Sequence, residues 1–102
     1  MIKPSWTFLT NHSHVLLSLS QNPYKRIRDI ADEVGITERA VQRIIVELEA
    51  DGYLKHIRDG RRNVYKIISR KSLRHTVEKH RQVYDLINLI KTCFESSHSD
   101  RI

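Results

Sequence analysis

The segment that decides the fold is Ile30–Leu48, which reads IADEVGITERAVQRIIVEL. Ala31 precedes Gly35 by four residues, and Val41 and Ile44 follow that glycine at distances of six and nine residues. Two helices that cross closely need a small residue at the contact, a glycine in the tight turn, and apolar residues on the inner face of the second helix. The spacing therefore predicts a helix-turn-helix, with an ordinary pair of packed helices as the alternative.

Boundary signals divide this segment into its two helices. The first is expected over about residues 28–34, because Gly35 suits the left-handed position that ends many helices. The hydroxyl of Thr37 can accept from the free amides of the next first turn, which makes it a plausible N-cap. The second helix is then expected to run to about Ala50 and to end at the Asp-Gly pair 51–52.

The second helix has two chemically different faces when residues are placed at about 100° intervals. Arg39, Gln42 and Arg43 lie opposite its apolar side or on its flank. Arginine can bind guanine and glutamine can bind adenine through paired hydrogen bonds in the major groove, so we predict that these three side chains read DNA. Surface ion pairs with Glu38 or Glu47 are the alternative. The apolar side consists of Val41, Ile44, Ile45 and Leu48.

The acidic end of the same helix limits how it can dock. Glu47, Glu49 and Asp51 cluster near its C-terminus, where negative charge is unfavourable for the helix and would repel phosphate. The DNA-reading interpretation therefore requires the helix to enter the groove by its N-terminal half.

A predicted β-hairpin follows the two helices. The sequence DGRRN at residues 59–63 separates two short runs rich in β-branched and aromatic residues, YLKHI and VYKII. Asp-Gly between such runs is a strong signal for a tight turn. A hairpin after a helix-turn-helix predicts a winged helix, whose wing reaches flanking phosphates or the minor groove. We expect Arg61 and Arg62 to contact DNA and nothing in their own domain, with Arg58 supporting them and Arg28 and Thr37 positioning the backbone.

The basic charge is concentrated around this hairpin. The chain has a net charge of +6, yet residues 55–81 alone hold ten basic and two acidic residues, a net charge of +8. The remaining residues therefore carry a net charge of −2. This asymmetry favours a polyanionic partner, and double-stranded DNA is the predicted one.

Two more helices complete the predicted architecture. One is expected at Asn11–Gln21 before the helix-turn-helix, and a longer one at about Ser72–Cys93 after the hairpin, with a very short strand over residues 26–28. The fold class is mainly α (α+β): a winged helix-turn-helix with a two-stranded wing. We expect a DNA-binding domain at 1–70, a C-terminal dimerisation helix at 71–95 in the same compact unit, and a frayed tail at 96–102.

An apolar stripe marks the last predicted helix. Its spacing of three and four residues is typical of a helix that packs against another surface. We predict homodimerisation through this stripe, with packing inside the chain as the alternative. The residues assigned to the dimer are Leu73, Val77, Tyr84, Ile87 and Ile90.

Other functional classes find little support in the sequence. There is no apolar run of the roughly 20 residues that span a bilayer, no secretory signal pattern and one cysteine, Cys93, so a cytoplasmic protein is expected. The six histidines lack chelating spacing, and no metal site or cofactor is predicted. No phosphate loop, nucleophile elbow or HExxH motif is present, so the chain is not expected to be an enzyme.

Residues 26–65 resemble the DNA-binding core of the winged-helix regulators grouped as MarR-like and ArsR-like. The resemblance extends over about residues 6–90 and is strongest to short MarR-type regulators, through WTFLTNH at residues 6–12, ITERAVQRI at residues 36–44 and GRRN at residues 60–63. It implies a homodimeric transcriptional regulator on a palindromic operator. It also implies groove-facing positions at Thr37, Arg39, Gln42 and Arg43, and wing contacts at Arg61 and Arg62.

The predicted function is thus a sequence-specific, homodimeric DNA-binding regulator, acting as a repressor. Two alternatives remain: a winged-helix module that binds another protein, and a nonspecific nucleic-acid-binding protein. The sequence names no small-molecule effector, operator or regulated gene.

Overall fold

The computed structural model of the chain describes residues 5–99, with side chains described for residues 5–91. Contacts between Cα atoms divide the chain into two compact units, Met1–Ile67 and Ile68–Ile102. The first unit contains helices α1 (Asn11–Gln21), α2 (Ile27–Val34) and α3 (Glu38–Ala50) and strands β1 (Leu54–Asp59) and β2 (Arg62–Ile67). The second contains helix α4 (Val83–Ser99).

The core of the first unit lies between α1, α2 and α3. Each helix contributes one apolar stripe, as expected for helices that bury a single face. The first helix has the predicted bounds, and Thr10 caps it by accepting a hydrogen bond from the Ser13 amide at 3.3 Å. The fully or almost fully buried side chains are Val15, Leu19, Ile30, Val41 and Ile44.

The turn between α2 and α3 has the predicted geometry. Gly35 lies at φ 83°, in the left-handed region, and its amide donates to the Ala31 carbonyl at 2.8 Å. The Thr37 hydroxyl accepts from the Ala40 amide at 3.0 Å and so caps α3. The two signals that sequence reasoning used for this turn are therefore confirmed.

The very short strand predicted over residues 26–28 is wrong. Ile27 and Arg28 already belong to α2, because the Ile30 amide bonds to the Arg26 carbonyl at 3.0 Å and closes the first helical turn. The loop before α2 contacts the hairpin through one backbone bond, from the Tyr65 amide of β2 to the Pro23 carbonyl at 3.1 Å.

The two strands form the predicted antiparallel hairpin. Leu54 pairs with Ile67 at its base and Asp59 with Arg62 at its tip, which leaves Gly60 and Arg61 as the connecting residues. Gly60 has φ 63°, a value that a tight two-residue connection requires and that glycine adopts without strain. Leu54 and Tyr65 are the buried residues of the two strands.

The last helix, in the second unit, begins and ends later than predicted. The chain from Ser69 to Gln82 is not helical; its ends are joined by bonds from the Leu73 amide to the Arg81 carbonyl and from the Tyr84 amide to the Ser69 carbonyl, at 2.9 and 2.7 Å. Within it, His75 Nδ1 accepts from the Val77 amide at 3.1 Å, a local bond that competes with helix formation.

The helix itself begins at Val83 and continues to Ser99, past the predicted end near Cys93. Asp85 stabilises its start by accepting from the Gln82 amide at 2.8 Å. The backbone of residues 96–99 is therefore helical where a frayed tail was predicted, whereas residues 100–102 and the side chain of Cys93 lie outside the described part of the chain. No helix among residues 5–99 is both long and apolar enough to cross a membrane.

This correction splits the predicted dimerisation stripe. Leu73 and Val77 lie in the irregular segment before α4, and the Val77 side chain is 75% exposed. The other three predicted residues, Tyr84, Ile87 and Ile90, do lie on α4. Leu89, which sequence reasoning did not assign to the dimer, is 60% exposed on the same helix.

Candidate nucleic-acid interface

The second helix of the helix-turn-helix, α3, separates its two faces as predicted. Its buried side chains are Val41, Ile44, Ile45 and Leu48, so the core fixes the rotation of the helix about its axis. That rotation places Arg39, Gln42 and Arg43 in solvent. None of these three side chains makes a hydrogen bond or ion pair with another residue in the described part of the chain. Among the described residues, neither arginine pairs with Glu38 or Glu47, so the structure does not support that alternative.

Thr37 occupies a different environment from the three side chains that follow it. Thr37 is exposed, but its hydroxyl oxygen already accepts a hydrogen bond from the Ala40 amide and so caps the helix. The hydroxyl can still donate to an external acceptor while it caps the helix. The structure thus shows that Thr37 caps α3. Its contact with the DNA backbone stays a prediction.

The acidic end of α3 is held by two histidines from neighbouring elements. Glu47 Oε1 lies 2.7 Å from His12 Nε2 of α1. Glu49 Oε2 pairs with His56 Nδ1 of β1. The two carboxylates therefore point towards α1 and the hairpin rather than along the exposed face of α3. Sequence reasoning missed these pairs because the partners are 35 and 7 residues apart and no local pattern links them.

The hairpin presents arginine at its tip, but its two tip arginines differ. Arg61 is exposed and makes no hydrogen bond within the described residues. Arg62, in contrast, donates from Nη2 to the Tyr24 carbonyl at 2.7 Å. The prediction that both would contact nothing in their own domain is therefore wrong for Arg62. Its guanidinium reaches back to the loop between α1 and α2 and ties the hairpin to that loop.

Arg58 also contributes to the local structure of the hairpin. Its Nε donates to the Gly60 carbonyl at 3.2 Å, across the turn. The residue is exposed, as is Arg28 in the first turn of α2. Both residues are accessible to a phosphate, and Arg58 additionally supports the turn that carries Arg61.

A shallow cleft of about 290 Å³ lies between the hairpin tip and the loop before α2. Three of the residues that line it are arginines, namely Arg26, Arg61 and Arg62. Arg26 was not singled out from the sequence, although it is the N-cap residue of α2, without a side-chain capping bond, and lines this cleft. The other lining residues are Tyr24, Lys25, Ile27, Asn63 and Tyr65.

One basic residue near this cleft is neutralised within the domain. Lys25 Nζ lies 2.9 Å from Glu33 Oε1 and 3.0 Å from the hydroxyl of buried Ser18, which also bonds to Glu33. The hydrogen bond from Ser18 lowers the pKa of the Glu33 carboxyl, and Lys25 lowers it further by its hydrogen bond and charge, against a partial loss of hydration that raises it. These three groups connect α1, the following loop and α2.

No three histidine, cysteine, aspartate or glutamate side chains come together as a possible metal site among the residues whose side chains the structure describes. Two of the histidines, His12 and His56, instead join the scaffold to the acidic end of α3.

A family model for the MarR family matches residues 7–62, which is more than half of the chain and includes α1 to α3 and the hairpin tip. The chain belongs to the MarR family. Family membership is consistent with the prediction of a regulator rather than an enzyme. No curated protein matches the chain in sequence.

Solved structures of MarR-family regulators share the fold. The PcaV transcriptional regulator of Streptomyces coelicolor is 24% identical, with a TM-score of 0.51 over 58% of this chain and 44% of its own. MepR, a transcription regulator of the Staphylococcus aureus multidrug efflux pump MepA, is 16% identical, with a TM-score of 0.51 over 91% and 64%. Lactococcus lactis ZitR is 14% identical, with a TM-score of 0.56 over 99% and 62%.

The chain spans between 44% and 64% of the length of these proteins. At such identities the likeness establishes the winged helix-turn-helix fold, with four helices and a two-stranded wing in this chain.

Proposed function

We propose that this MarR-family chain is a sequence-specific DNA-binding transcriptional regulator that acts as a homodimeric repressor on a palindromic operator. The observation that carries the proposal is the exposed face of α3, where Arg39, Gln42 and Arg43 lie free in solvent beside a basic hairpin. A helix with such a face fits the major groove, and the buried face fixes its orientation relative to the wing.

The proposed contacts divide into base readout and backbone binding. Arg39, Gln42 and Arg43 read base edges or nearby phosphates. Arg28 and Thr37 position the DNA backbone at the start of α2 and α3. The hairpin, through Arg58, Arg61 and Arg62, binds flanking phosphates or the minor groove, where a narrow groove attracts arginine.

The pairing of Glu47 with His12 and of Glu49 with His56 supports docking by α3. Negative charge on the exposed face would repel the phosphates that line the groove. Because both carboxylates are drawn to the sides of the helix, that repulsion is reduced along the face that carries the arginines.

The proposed dimer uses the C-terminal unit, so that 1–70 binds DNA and 71–95 associates. Its apolar residues on α4 are Tyr84, Ile87 and Ile90, together with Leu89. Tyr84 also lies under the Arg70 guanidinium, 4.6 Å from the ring centre, which limits its part in the interface. A two-fold dimer would place two recognition helices on half-sites about 10 base pairs apart.

The dimer proposal is tested by Ile90→Glu, which adds a charge to the exposed side of α4. Sedimentation equilibrium should show the wild-type chain as a dimer and the variant as a monomer at the same concentration. The control is Val77→Glu, at a position that is more exposed and lies outside the helix. Dimers that survive Ile90→Glu would contradict the assignment of α4 to the interface.

The DNA-binding proposal is tested with a fragment from upstream of the protein's own coding region and a scrambled competitor, at about 150 mM salt. A preference of about 10³-fold or more for one site would support a sequence-specific regulator. Equal and strongly salt-dependent binding to both would instead support the nonspecific alternative. Binding to neither duplex, together with capture of a defined protein, would support the interaction-module alternative. A proposed DNA partner also implies that the protein acts in the cytoplasm.

A further inference from the structure

An exposed valine lies in the middle of the DNA-facing side of α3. Val46 is 63% exposed although it is β-branched and apolar, and every other valine and isoleucine of this helix is buried. At about 100° per residue, Val46 lies about 20° from Arg39 and about 40° from Gln42 around the helix axis. We name the four residues Arg39, Gln42, Arg43 and Val46 the central strip of α3.

The two glutamates that flank Val46 are turned away from this strip. Glu47 is bound to His12 on one side of α3 and Glu49 to His56 on the other. The exposed surface at the C-terminal end of the strip is therefore formed by Val46. The small side chain of Ala50, which is also exposed, lies one helical turn further on. The strip begins with hydrogen-bond donors and ends in an apolar patch.

An apolar patch of this kind has one matching feature in the major groove. The C5-methyl group of thymine is the apolar group that the base edges present there, and short apolar side chains contact it. We propose that Val46 is a specificity-determining residue that contacts a thymine methyl group in each half-site. This inference rests on the proposed function, because it requires α3 to lie in the major groove.

The geometry of the helix also predicts where that thymine lies. Val46 follows Gln42 and Arg43 by about one helical turn, which advances about 5.4 Å along the axis. Successive base pairs are about 3.4 Å apart along a strand. The thymine should therefore lie within about two base pairs of the pair whose recognition depends on Arg43.

The test begins with selection of a binding site from a randomised duplex library by the full chain. Each thymine of the selected site is then replaced by uracil, which removes the methyl group and keeps the base pairing. Dissociation constants are measured by fluorescence anisotropy for the wild type, for Val46→Ala and for Ile57→Ala. Ile57 is the matched control, since it is β-branched and 66% exposed but lies on the hairpin.

One uracil position should weaken wild-type binding about fourfold per half-site, which corresponds to about 0.8 kcal/mol for one buried methyl-sized group. The same replacement should leave Val46→Ala unaffected and should still weaken Ile57→Ala. That thymine should lie within about two base pairs of the base pair at which Arg43→Ala relaxes the preference. Urea unfolding should show Val46→Ala to be no less stable than the wild type, because the side chain is exposed.

Three outcomes would overturn the inference, and they separate it from the proposed function. A selected site in which no uracil replacement is coupled to Val46→Ala leaves sequence-specific binding intact but removes the role of Val46. If the uracil effect that depends on Val46 occurs at a thymine more than about two base pairs from the Arg43-dependent pair, the placement of the strip is contradicted. Selection that yields no consensus rejects both the specificity residue and the sequence-specific function.

Discussion

Helix α3 and the hairpin are held in place by different physical means. The helix buries four large apolar side chains, and this burial sets which residues face solvent. The hairpin buries one residue in each strand, and its other residues are half-buried or exposed. It is attached by polar contacts instead, among them Arg62 to the Tyr24 carbonyl and His56 to Glu49. A helix fixed by its core suits base readout, which needs accurate geometry, whereas a hairpin fixed by polar bonds suits phosphate contacts, which tolerate adjustment.

The largest expected effect is on folding, from a cavity under α3. Ile44→Ala removes a side chain that is 2% exposed and should lower the free energy of unfolding by about 2–5 kcal/mol. Urea denaturation measures this change. Ile57→Ala on the hairpin, where the side chain is 66% exposed, serves as the control and should stay within about 0.5 kcal/mol of the wild type. Equal losses at both positions would contradict the contrast between the two regions.

The next effect is on base recognition. Arg43→Ala should cost about 1–3 kcal/mol of binding free energy and relax the preference at one base pair of each half-site. Binding weakens because the paired hydrogen bonds from the arginine to a base are lost, while the exposed position leaves the hydrophobic core unchanged. Competition binding with single-base operator variants measures it. If all base preferences remain unchanged, α3 is not the reading element.

A smaller and different effect is expected at the wing. Arg61→Ala should weaken binding to all sequences alike and reduce the slope of log K against log salt by about one per subunit, because one phosphate contact is lost. Binding titrations at four or five salt concentrations measure the slope. Arg62→Ala should also loosen the hairpin, since its guanidinium bonds to Tyr24. A change in base preference in Arg61→Ala would show that the hairpin reads sequence.

The smallest effect concerns pH and the network of Ser18, Lys25 and Glu33. The pKa of Glu33 is lowered in the folded chain, so its contribution to stability is present above the pKa of the unfolded chain and is lost as pH falls through the folded value. Glu33 is half exposed, so the contribution should be below about 1 kcal/mol. Glu33→Gln should be less stable than the wild type near pH 7, and urea denaturation should show the difference shrink as the pH falls from about 7 to about 3. A constant difference across that range would contradict the role of the charge.

The sequence predicted the parts of the molecule that local chemistry determines. Gly35 and Thr37 marked the turn before α3 because a left-handed cap and an N-cap each demand particular residue types. The hairpin followed from Asp59-Gly60 between strand-like runs, and the exposed side of α3 followed from helical periodicity.

The parts that local chemistry does not determine were missed. The start of α4 at Val83 depends on bonds across the preceding segment, and no glycine or proline marks it. The contact of Arg62 with Tyr24 joins residues 38 positions apart, and the His12–Glu47 pair joins residues 35 apart. Periodicity carries no information about such partners, because it describes one element at a time.

The central claim is that α3 specifies the sequence and the hairpin supplies affinity without specifying it. Its most direct test compares the ratio of dissociation constants for a scrambled and a selected duplex in the wild type, Arg43→Ala and Arg61→Ala, at about 150 mM salt. We expect a ratio of about 10³ or more in the wild type, a similar ratio in Arg61→Ala and a clearly smaller one in Arg43→Ala. A ratio that falls in Arg61→Ala and persists in Arg43→Ala would contradict it.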